Sequence, residues 1–431
     1  MLKRFITFLV ELQARRLLKK NAPKIVAVTG SVGKTSTKLA VATVLSQKYR
    51  VLAHYGSYNT HIAVPMAIFN LHIPLRLRHP LSWLKILWQM EKQLHSPYPY
   101  DVLVLELGTD HPGEIDYFSR YIRPDVSVVT AVAAEHMAYF GSLEAVAKEE
   151  LSIANFSKFN LINRDDIDAE FAKYVHSDSL GTYGTSGIAE YHYLAENFTA
   201  GKGFSGKFVS PEFGELPVSL QLVGEHNIRA AVAGGAVAIK LGLSAEQVTA
   251  GMQQIRPVHG RMNLLKGLLG STLIDDTYNS SPIAAIAALQ TLYLFPAKQR
   301  IAILGSMNEL GGFSKEAHEQ VGQACDPALL DWVITIGSDA ENYLAPVARG
   351  KGCQVRSFSS PYDAGAFAHK VLQNEAVVLA KGSQNGVFAE EALKILLHNT
   401  EEEKQLVRQT SDWLAIKQKQ FGKFQAAAEN E

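Results

Sequence analysis

The sequence predicts an α/β fold in two successive domains, each built on a mainly parallel sheet. Short apolar runs rich in β-branched residues alternate with helical stretches, which is the pattern of βαβ units. A second series of this kind begins after Pro257, as expected of a separate doubly wound domain. The chain has 431 residues, of which 47% are hydrophobic and 19% charged. This composition is typical of a globular protein, and the length exceeds that of a single compact core.

The predicted elements follow this rhythm in order. The first domain has predicted strands at residues 24–28, 102–105, 126–130 and 160–162, hairpins within residues 181–222, and helices at residues 34–48 and 227–241. The second domain has predicted strands at residues 272–274, 300–304, 332–336 and 376–379. We predict an amphipathic helix over residues 1–22, a first domain over 23–260, a second over 261–399 and a helical tail over 400–431. The tail is expected to pack or fray without catalytic consequence.

Charge and cysteine content exclude several classes of function. The 42 basic residues equal the 42 acidic residues in number. The chain therefore has no excess of basic residues of the kind that indicates nucleic-acid binding, and any anion must be bound at a local site. Cys325 and Cys353 are the only cysteines and do not form a Cys-x-x-Cys pair. A four-cysteine zinc site is therefore excluded. Incidental thiols predict a reducing, cytoplasmic location.

Two segments are apolar and basic at once. Residues 1–20 combine a short apolar run with flanking Lys and Arg; the run is too short to span a bilayer and lacks a signal-peptidase site. Such a helix either packs on the first domain or rests on an anionic membrane surface at the inner face of the membrane. Residues 71–93, which include Trp83 and Trp88, serve either as packing surface or as a surface for membrane or a lipid-like substrate.

The strongest local motif is a glycine-rich turn between a strand and a helix. Its glycines allow backbone N–H groups to point at phosphate oxygens, and the helix N-terminus adds its positive dipole end. Lys34 is expected to hold the β- and γ-phosphates, and the Thr35 hydroxyl to coordinate Mg²⁺. The position that is usually Gly or Ala in such loops is Val28 here. The first domain is thus predicted to be a central P-loop ATPase domain with a parallel sheet. The loop residues predicted to bind ATP are Thr29, Gly30, Ser31, Val32, Gly33, Lys34, Thr35 and Ser36.

Two further side chains follow predicted strands of the same domain. Glu106 ends the apolar run at residues 102–105, and His136 follows the run at residues 126–130. Ligands of open α/β sheets bind at the carboxyl ends of strands. Glu106 is therefore a candidate for a magnesium site, which needs oxygen ligands. A histidine after a strand is more often structural, so His136 depends on its context.

With these landmarks in order, the chain resembles the Mur ligase family over residues 24–397. It is most similar to the branch that adds D-alanyl-D-alanine to UDP-N-acetylmuramoyl-tripeptide. The matching motifs are TGSVGKTST, YNTHIAVP, ELG followed by PGEI, GEHN, GR, DDTYN, ELG, His318 and KGS. The resemblance implies a central ATPase domain and a C-terminal Rossmann-like ligase domain. It also implies an ADP-forming ligase that uses ATP and two Mg²⁺ ions.

The resemblance also assigns roles to individual residues. Thr35 and Glu106 look like the first magnesium site, and His136 looks like a ligand of the second. Arg261 is similar to an arginine that acts on the phosphates, and either Asp275 or Asp276 to a ribose-binding acid. The adenine contacts implied are Asn227 and His226, and the implied substrate contacts are Asn59, His318, Lys381 and Ser383.

The sequence departs from the family pattern in three places. Many Mur ligases have a carbamylated lysine fourteen residues after the metal histidine, where this chain has Glu150. We expect Glu150 to supply the negative oxygens directly; alternatively, Lys148 takes the role or Glu150 is simply exposed. The family's N-terminal UDP-binding domain is expected to be missing, so that a partner or a membrane carrier presents the substrate. Ser281, Ser306 and Gln384 replace Asn, Asp and Arg, which puts the identity of the amine in doubt.

The function predicted is ATP-dependent amide-bond formation through an acyl phosphate, joining a muramoyl-peptide to D-alanyl-D-alanine or a similar amine. The alternatives are a ligase for a lipid-linked or other non-UDP cell-wall substrate with a partner subunit, and a non-catalytic ATP-binding scaffold. A folylpolyglutamate-type ligase is a further alternative, against which the ELG, PGEI and DDTYN segments argue.

Overall fold

A computed structural model describes residues 2–428 except positions 55, 57, 75–79, 135 and 136. The helices are α1 (Leu2–Asn21), α2 (Lys34–Leu45), α3 (Ala63–Ile68), α4 (Pro80–Leu94), α5 (Glu114–Phe118), α6 (Met137–Phe140), α7 (Leu143–Leu151), α8 (Glu225–Lys240), α9 (Ala245–Gln253), α10 (Pro282–Leu294), α11 (Ser314–Ala324), α12 (Ala345–Gly350), α13 (Pro361–Val371), α14 (Glu390–Leu396) and α15 (Ser411–Ala428). The strands are β1 (Lys24–Thr29), β2 (Val51–Leu52), β3 (Val102–Glu106), β4 (Val126–Val129), β5 (Asn160–Asn163), β6 (Leu180–Gly184), β7 (Tyr191–Thr199), β8 (Gly203–Ser210), β9 (Gly214–Leu220), β10 (Asn263–Lys266), β11 (Thr272–Asp276), β12 (Arg300–Gly305), β13 (Trp332–Ile336), β14 (Val355–Phe358) and β15 (Val377–Lys381).

The chain divides into two compact units. The first consists of Met1–Phe198, Lys202–Leu222 and Asn227–Arg256. The second consists of Thr199–Gly201, Val223–His226 and Pro257–Glu431. Each unit contains its own sheet, and the predicted α/β fold class is confirmed.

The sheet of the first unit has the strand order β2-β3-β1-β4-β5-β6-β7-β8-β9. The pairs from β2 to β7 are parallel, and β8 and β9 form an antiparallel hairpin. Of the hairpins predicted in residues 181–222, β8–β9 is present, whereas β6 and β7 continue the parallel ladder. Strand β1 lies between β3 and β4, so its carboxyl end is a switch point where α/β sheets bind ligands.

Strand β1 shows how this sheet is buried on both faces. Ile25 and Ala27 belong to one apolar core, and Val26 and Val28 to the core on the other face. Because successive side chains of a strand point to opposite faces, a continuous apolar run fits a strand covered by helices on both sides. The same burial explains why the apolar runs predicted these strands well.

The second unit has a six-stranded sheet in the order β10-β11-β15-β12-β13-β14. Strand β10 pairs antiparallel with β11, and all other pairs are parallel. The tail packs on this unit rather than fraying over its described part: the ammonium of Lys417, which is fully buried, pairs with Glu390 and Glu391. The unit is thus the predicted Rossmann-like architecture with a packed C-terminal helix.

Helices α1 and α4 of the first unit lie side by side and run parallel. Arg16 forms a two-point ion pair with Glu91, to which Gln13 also donates, and Lys20 donates to the carbonyl of Leu94. The inward faces of both helices belong to the same core. The buried side chains of these inward faces are Ile6, Val10, Ala14 and Leu17 of α1 and Trp83, Ile86, Met90 and Leu94 of α4.

Among the described residues, no helix has the length and apolarity needed to cross a bilayer.

Candidate active site

The glycine-rich loop after β1 is fixed against the end of β4. Gly30 has a φ of 124°, and a Cβ there would lie 2.2 Å from the Thr130 hydroxyl, so only glycine fits this approach. The Thr130 hydroxyl donates to the carbonyls of Thr29 and Val32 at 3.0 and 2.6 Å. These bonds hold the loop in one conformation.

The loop ends at the N-terminus of α2. Gly33 is the N-cap, with a φ of 88° and no side-chain capping bond. The first N–H groups of a helix lack intrahelical acceptors, and the helix dipole favours an anion there. The Lys34 ammonium lies over the loop, where it donates to the carbonyls of Gly30 and Ser31. The residues present therefore fit a polyphosphate chain.

Beneath the loop, Glu106 ends β3 as a buried carboxylate. Its Oε2 accepts bonds from the Thr35 hydroxyl and the Lys38 ammonium, both at 3.0 Å. Lys38 also donates to the carbonyl of Gly56 at 2.8 Å. The structure thus brings the two predicted metal ligands, Thr35 and Glu106, into direct contact. A hydroxyl and a carboxylate are oxygen donors of the kind Mg²⁺ prefers.

Glu150 lies on α7 and is buried beside the same loop. Its Oε2 accepts from the Gly30 N–H at 2.8 Å and from the Thr29 hydroxyl. Lys148 is exposed on the opposite side of this helix turn. Of the alternatives given by the sequence, the structure therefore places Glu150 and not Lys148 at the phosphate loop.

The neighbouring Glu149 serves another element. Its carboxylate accepts from the N–H groups of Gly113 and Ile115 at 2.7 and 2.8 Å. These donors are at the start of α5, so Glu149 caps the helix that carries the PGEI motif. The two adjacent buried carboxylates on α7 thus stabilise different loops.

Asn59 packs on the ELG motif next to Glu106. Its carbonyl accepts from the Gly108 N–H at 3.1 Å, and a Cβ on Gly108 would lie 2.4 Å from the Asn59 amide nitrogen. His136 is outside the described residues. Asn227 is buried near the start of α8 in the first unit, whereas His226 belongs to the second.

In the second unit, the two acids that end β11 differ in their surroundings. Asp275 accepts from the Gly260 N–H at 3.0 Å and from the hydroxyl and N–H of Thr277. Burial raises the pKa of Asp275 to about 7. Asp276 pairs with the buried ammonium of Lys381 at 2.7 Å and accepts from the Met262 N–H. Asp276 and Lys381, both predicted site residues, are therefore brought together.

Arg261 lies over the ring of Tyr278, 4.3 Å from its centroid. Arg408, from the tail, donates to the carbonyls of Thr277 and Tyr278 at 2.6 and 2.9 Å and pairs with Glu390. The tail thus holds the DDTYN loop on which Arg261 rests.

His318 and Ser383 both support the loop after β12. His318 is fully buried; its Nε2 accepts from the Met307 N–H at 2.9 Å and its Nδ1 bonds the Ser314 carbonyl. Burial lowers the pKa of His318, which favours the neutral imidazole. The Ser383 hydroxyl accepts from the Asn308 N–H at 2.9 Å. These contacts bring the two predicted substrate residues to one loop, where both make structural bonds.

Comparison with known proteins agrees with this geometry. Residues 28–238 match the Mur ligase middle domain, and residues 260–384 match the Mur ligase, glutamate ligase domain. The UDP-N-acetylmuramoyl-tripeptide–D-alanyl-D-alanine ligase of Escherichia coli (strain K12) is 30% identical over 383 residues, which are 87% of this chain and 77% of that protein. The chain belongs to the Mur ligase family.

Solved structures of Mur ligases confirm the architecture. MurF from Acinetobacter baumannii matches with a TM-score of 0.75 at 25% identity, over 91% of this chain and 80% of that one. MurF ligase from Thermotoga maritima, solved in complex with ADP, has the same TM-score and identity and covers 92% and 84%. The resemblance to the D-alanyl-D-alanine-adding branch is therefore confirmed.

Sequence reasoning missed two buried contributors to this Mur ligase site. Lys38 lies four residues after Lys34, which puts both on one face of α2, and this spacing was a signal for a second cation near the loop. Thr130 ends a predicted strand and could have been noticed as polar in an apolar run. The contact of Arg408 with Tyr278 has no local signal, since 130 residues separate them.

Proposed function

We propose that this Mur ligase uses ATP to activate a substrate carboxylate as an acyl phosphate and then joins it to an amine. The observation that carries the proposal is the loop of residues 29–36, in which the Lys34 ammonium donates to the Gly30 carbonyl and the adjacent Thr35 hydroxyl donates to Glu106. A carboxylate oxygen attacks the γ-phosphorus of ATP and ADP leaves. The neutral amine then attacks the acyl carbon and loses one proton, and inorganic phosphate leaves with its bonding electrons and takes up a proton.

The residues of the first unit fit the charge changes of the first step. Negative charge develops on the phosphate oxygens as the carboxylate attacks. The Lys34 ammonium and the N–H groups at the start of α2 are preorganised donors for that charge. Bound Mg²⁺ would supply Lewis-acid stabilisation of the same oxygens. Thr35 and Glu106 are the proposed ligands of one ion, and His136 and Glu150 those of a second.

Glu150 is proposed to replace the carbamylated lysine of other Mur ligases. Its support is its position: a buried carboxylate whose Oε2 already contacts the loop at Thr29 and Gly30. A glutamate carboxylate and a carbamate both present negatively charged oxygens to a hard cation. Activity is therefore expected to be independent of bicarbonate.

The remaining predicted site residues are assigned to the nucleotide, the amine and the carboxylate substrate. We assign Arg261 to the phosphates and Asp276, or its neighbour Asp275, to the ribose. Asn227 and His226 are assigned to the adenine. Lys381, with Ser383 and His318, is assigned to the amine, and Asn59 to the carboxylate substrate. The buried ion pair between Lys381 and Asp276 supports neighbouring roles for the two residues, because a movement of either side chain changes the charge around the other.

The substrates are proposed from the names of the relatives. We assign a muramoyl-peptide as the carboxylate donor and D-alanyl-D-alanine as the amine, which places the reaction in peptidoglycan precursor synthesis. The proposed location is the cytoplasm; the two cysteines, both free thiols, suit a reducing compartment. A separate partner that presents the muramoyl-peptide remains part of the proposal.

The test is amine-dependent phosphate release by the purified full chain, with each muramoyl-peptide paired with D-alanyl-D-alanine or another amine. We expect release only when both substrates are present, and a loss of about 10²–10³-fold in Lys34→Ala. Lys48→Ala, an exposed lysine after α2, is the matched control and should retain activity. ATP binding without phosphate release for any pair of substrates would indicate a non-catalytic scaffold. Phosphate release only with lipid-linked peptides would show that the substrate is lipid-linked and not UDP-linked.

A further inference from the structure

Helices α1 and α4 present an exposed apolar strip on the side opposite their shared core. Each contributes three large side chains at i, i+3 and i+7, a spacing that places them on one face of a helix. Their exposed fractions range from 43% for Leu12 to 67% for Leu81. The strip consists of Phe5, Phe8 and Leu12 of α1 and Leu81, Leu84 and Trp88 of α4.

The two rows lie at the same level on neighbouring helices. The Arg16–Glu91 and Lys20–Leu94 contacts place residues about 75 positions apart in sequence beside each other. Each apolar residue of the α1 row and its counterpart in the α4 row are separated by nearly the same number of positions, so the two rows lie side by side. Because both helices bury their opposite faces in one core, both rows point away from it. Six large apolar side chains therefore form one continuous surface, larger than the scattered apolar residues of an ordinary surface.

Basic side chains border this strip on both flanks. On α1, Arg4 is exposed on the side away from α4, and Lys19 is exposed seven residues after Leu12, in line with the end of the α1 row; on α4, Lys85 and Lys92 are exposed on the side away from α1. This placement follows from a rotation of about 100° per residue. The Lys92 ammonium lies 5.6 Å from the centre of the Trp88 ring, so a cation and the strip meet directly.

The charge of the two helices contrasts with that of the whole chain. Helix α1 carries six basic residues and one acidic residue, and α4 two basic and one acidic, whereas the 431 residues have a formal net charge of zero. Both acidic side chains of these helices are in ion pairs: Glu11 is buried and pairs with Arg15, and Glu91 pairs with Arg16. The basic excess is thus concentrated around the apolar strip.

We propose that the α1–α4 face docks on an anionic phospholipid membrane surface, with the six apolar side chains inserted at the headgroup boundary and the flanking cations over lipid phosphates. An apolar strip bordered by Lys and Arg, with a Trp at its edge, has the chemistry of an interfacial membrane site. The basic border distinguishes a negative lipid surface from an uncharged protein groove. This inference is independent of the proposed ligase function, because none of these residues lies at the phosphate loop.

The test is sedimentation of the full chain with vesicles of phosphatidylglycerol and phosphatidylcholine, or of phosphatidylcholine alone. We expect binding to the anionic vesicles only, weakened by added salt because exposed charges are screened. Lys85→Gln and Lys92→Gln should each weaken binding about fivefold, and Phe8→Gln or Trp88→Gln about tenfold or more. Since all four side chains are exposed, thermal melting of each variant should match that of the wild type.

Matched controls lie elsewhere on the first unit. Ile188→Gln and Lys202→Gln change an exposed apolar and an exposed basic residue and should leave vesicle binding unchanged. Equal binding to both vesicle types, no binding to either, or equal losses in the control variants would overturn the proposal. A dimer in sedimentation equilibrium that Trp88→Gln dissociates would overturn it too, because a second copy would then cover the face.

Discussion

The ammonium of Lys38 and the carboxylate of Glu106 form an ion pair 3.0 Å apart, with both side chains only 2% exposed. The pair lies next to the phosphate loop, where Glu106 also accepts a hydrogen bond from the Thr35 hydroxyl. Lys38 therefore contacts the same carboxylate that the proposed mechanism uses as a metal ligand. It links the stability of the first unit to the chemistry of its site.

Removing one partner of this pair is expected to destabilise the first unit. Lys38→Met leaves the Glu106 carboxylate buried without its cation, which should lower the free energy of unfolding by about 3–5 kcal/mol. The double variant Lys38→Met/Glu106→Gln removes both charges and should recover most of that loss. Urea denaturation measures both values. Lys202→Met, at an exposed position, is the control, and a change in Lys38→Met as small as in this control would contradict the prediction.

Substitutions of the two adjacent glutamates on α7 are expected to have different effects, one on activity and the other on stability. Glu150→Gln keeps a hydrogen-bond acceptor for the loop but removes the negative charge, so phosphate release should fall by about 10²-fold or more with little change in melting temperature. Glu149→Gln should instead lower the free energy of unfolding by about 0.5–2 kcal/mol through a weaker α5 cap and retain turnover.

Bicarbonate provides the discriminating control for Glu150. Added bicarbonate should not change the activity of the wild type, because no lysine at this position needs carbamylation. Near-normal turnover in Glu150→Gln, or stimulation of the wild type by bicarbonate, would reject the proposed replacement.

Arg261 is expected to act on turnover rather than on ATP affinity. Its guanidinium is held on the Tyr278 ring, and its Nε has no hydrogen-bond partner among the residues that the structure describes. Arg261→Ala should lower kcat by about 10²–10³-fold and leave the Kd for ATP nearly unchanged. Arg256→Ala, an exposed arginine, is the control. Equal losses in kcat and affinity would count against this role.

Burial of Asp275 predicts a pH-dependent stability. Its pKa is raised from an ordinary 3.8 to about 7, so the folded chain binds this proton more tightly than the unfolded chain. The stabilisation from the protonated acid is fully present below the ordinary pKa and is lost as the pH rises through about 7. Asp275→Asn should remove this part of the dependence. Denaturation curves at about pH 5 and about pH 8 for both proteins test the sign; an identical pH dependence in the two would refute it.

The sequence alone determined the two sheets and the phosphate loop. The strands at residues 24–28 and 102–105 are buried on both faces, which makes their apolar runs continuous, and the loop needs glycine at position 30 because a Cβ there has no room. Local patterns of this kind report directly on backbone geometry. They were therefore sufficient to place Lys34, Thr35 and Glu106 at one end of one sheet.

Only the tertiary structure decided which charges meet and which face is covered. The Lys381–Asp276 pair joins residues 105 positions apart, the Arg408–Tyr278 bond joins residues 130 apart, and the parallel packing of α1 on α4 pairs Arg16 with Glu91. An ion pair depends on distance in space, and no periodicity along the chain encodes distance between remote segments. For the same reason the amphipathic pattern of α1 predicted a buried face and an exposed face, but not the neighbour that doubles its apolar surface.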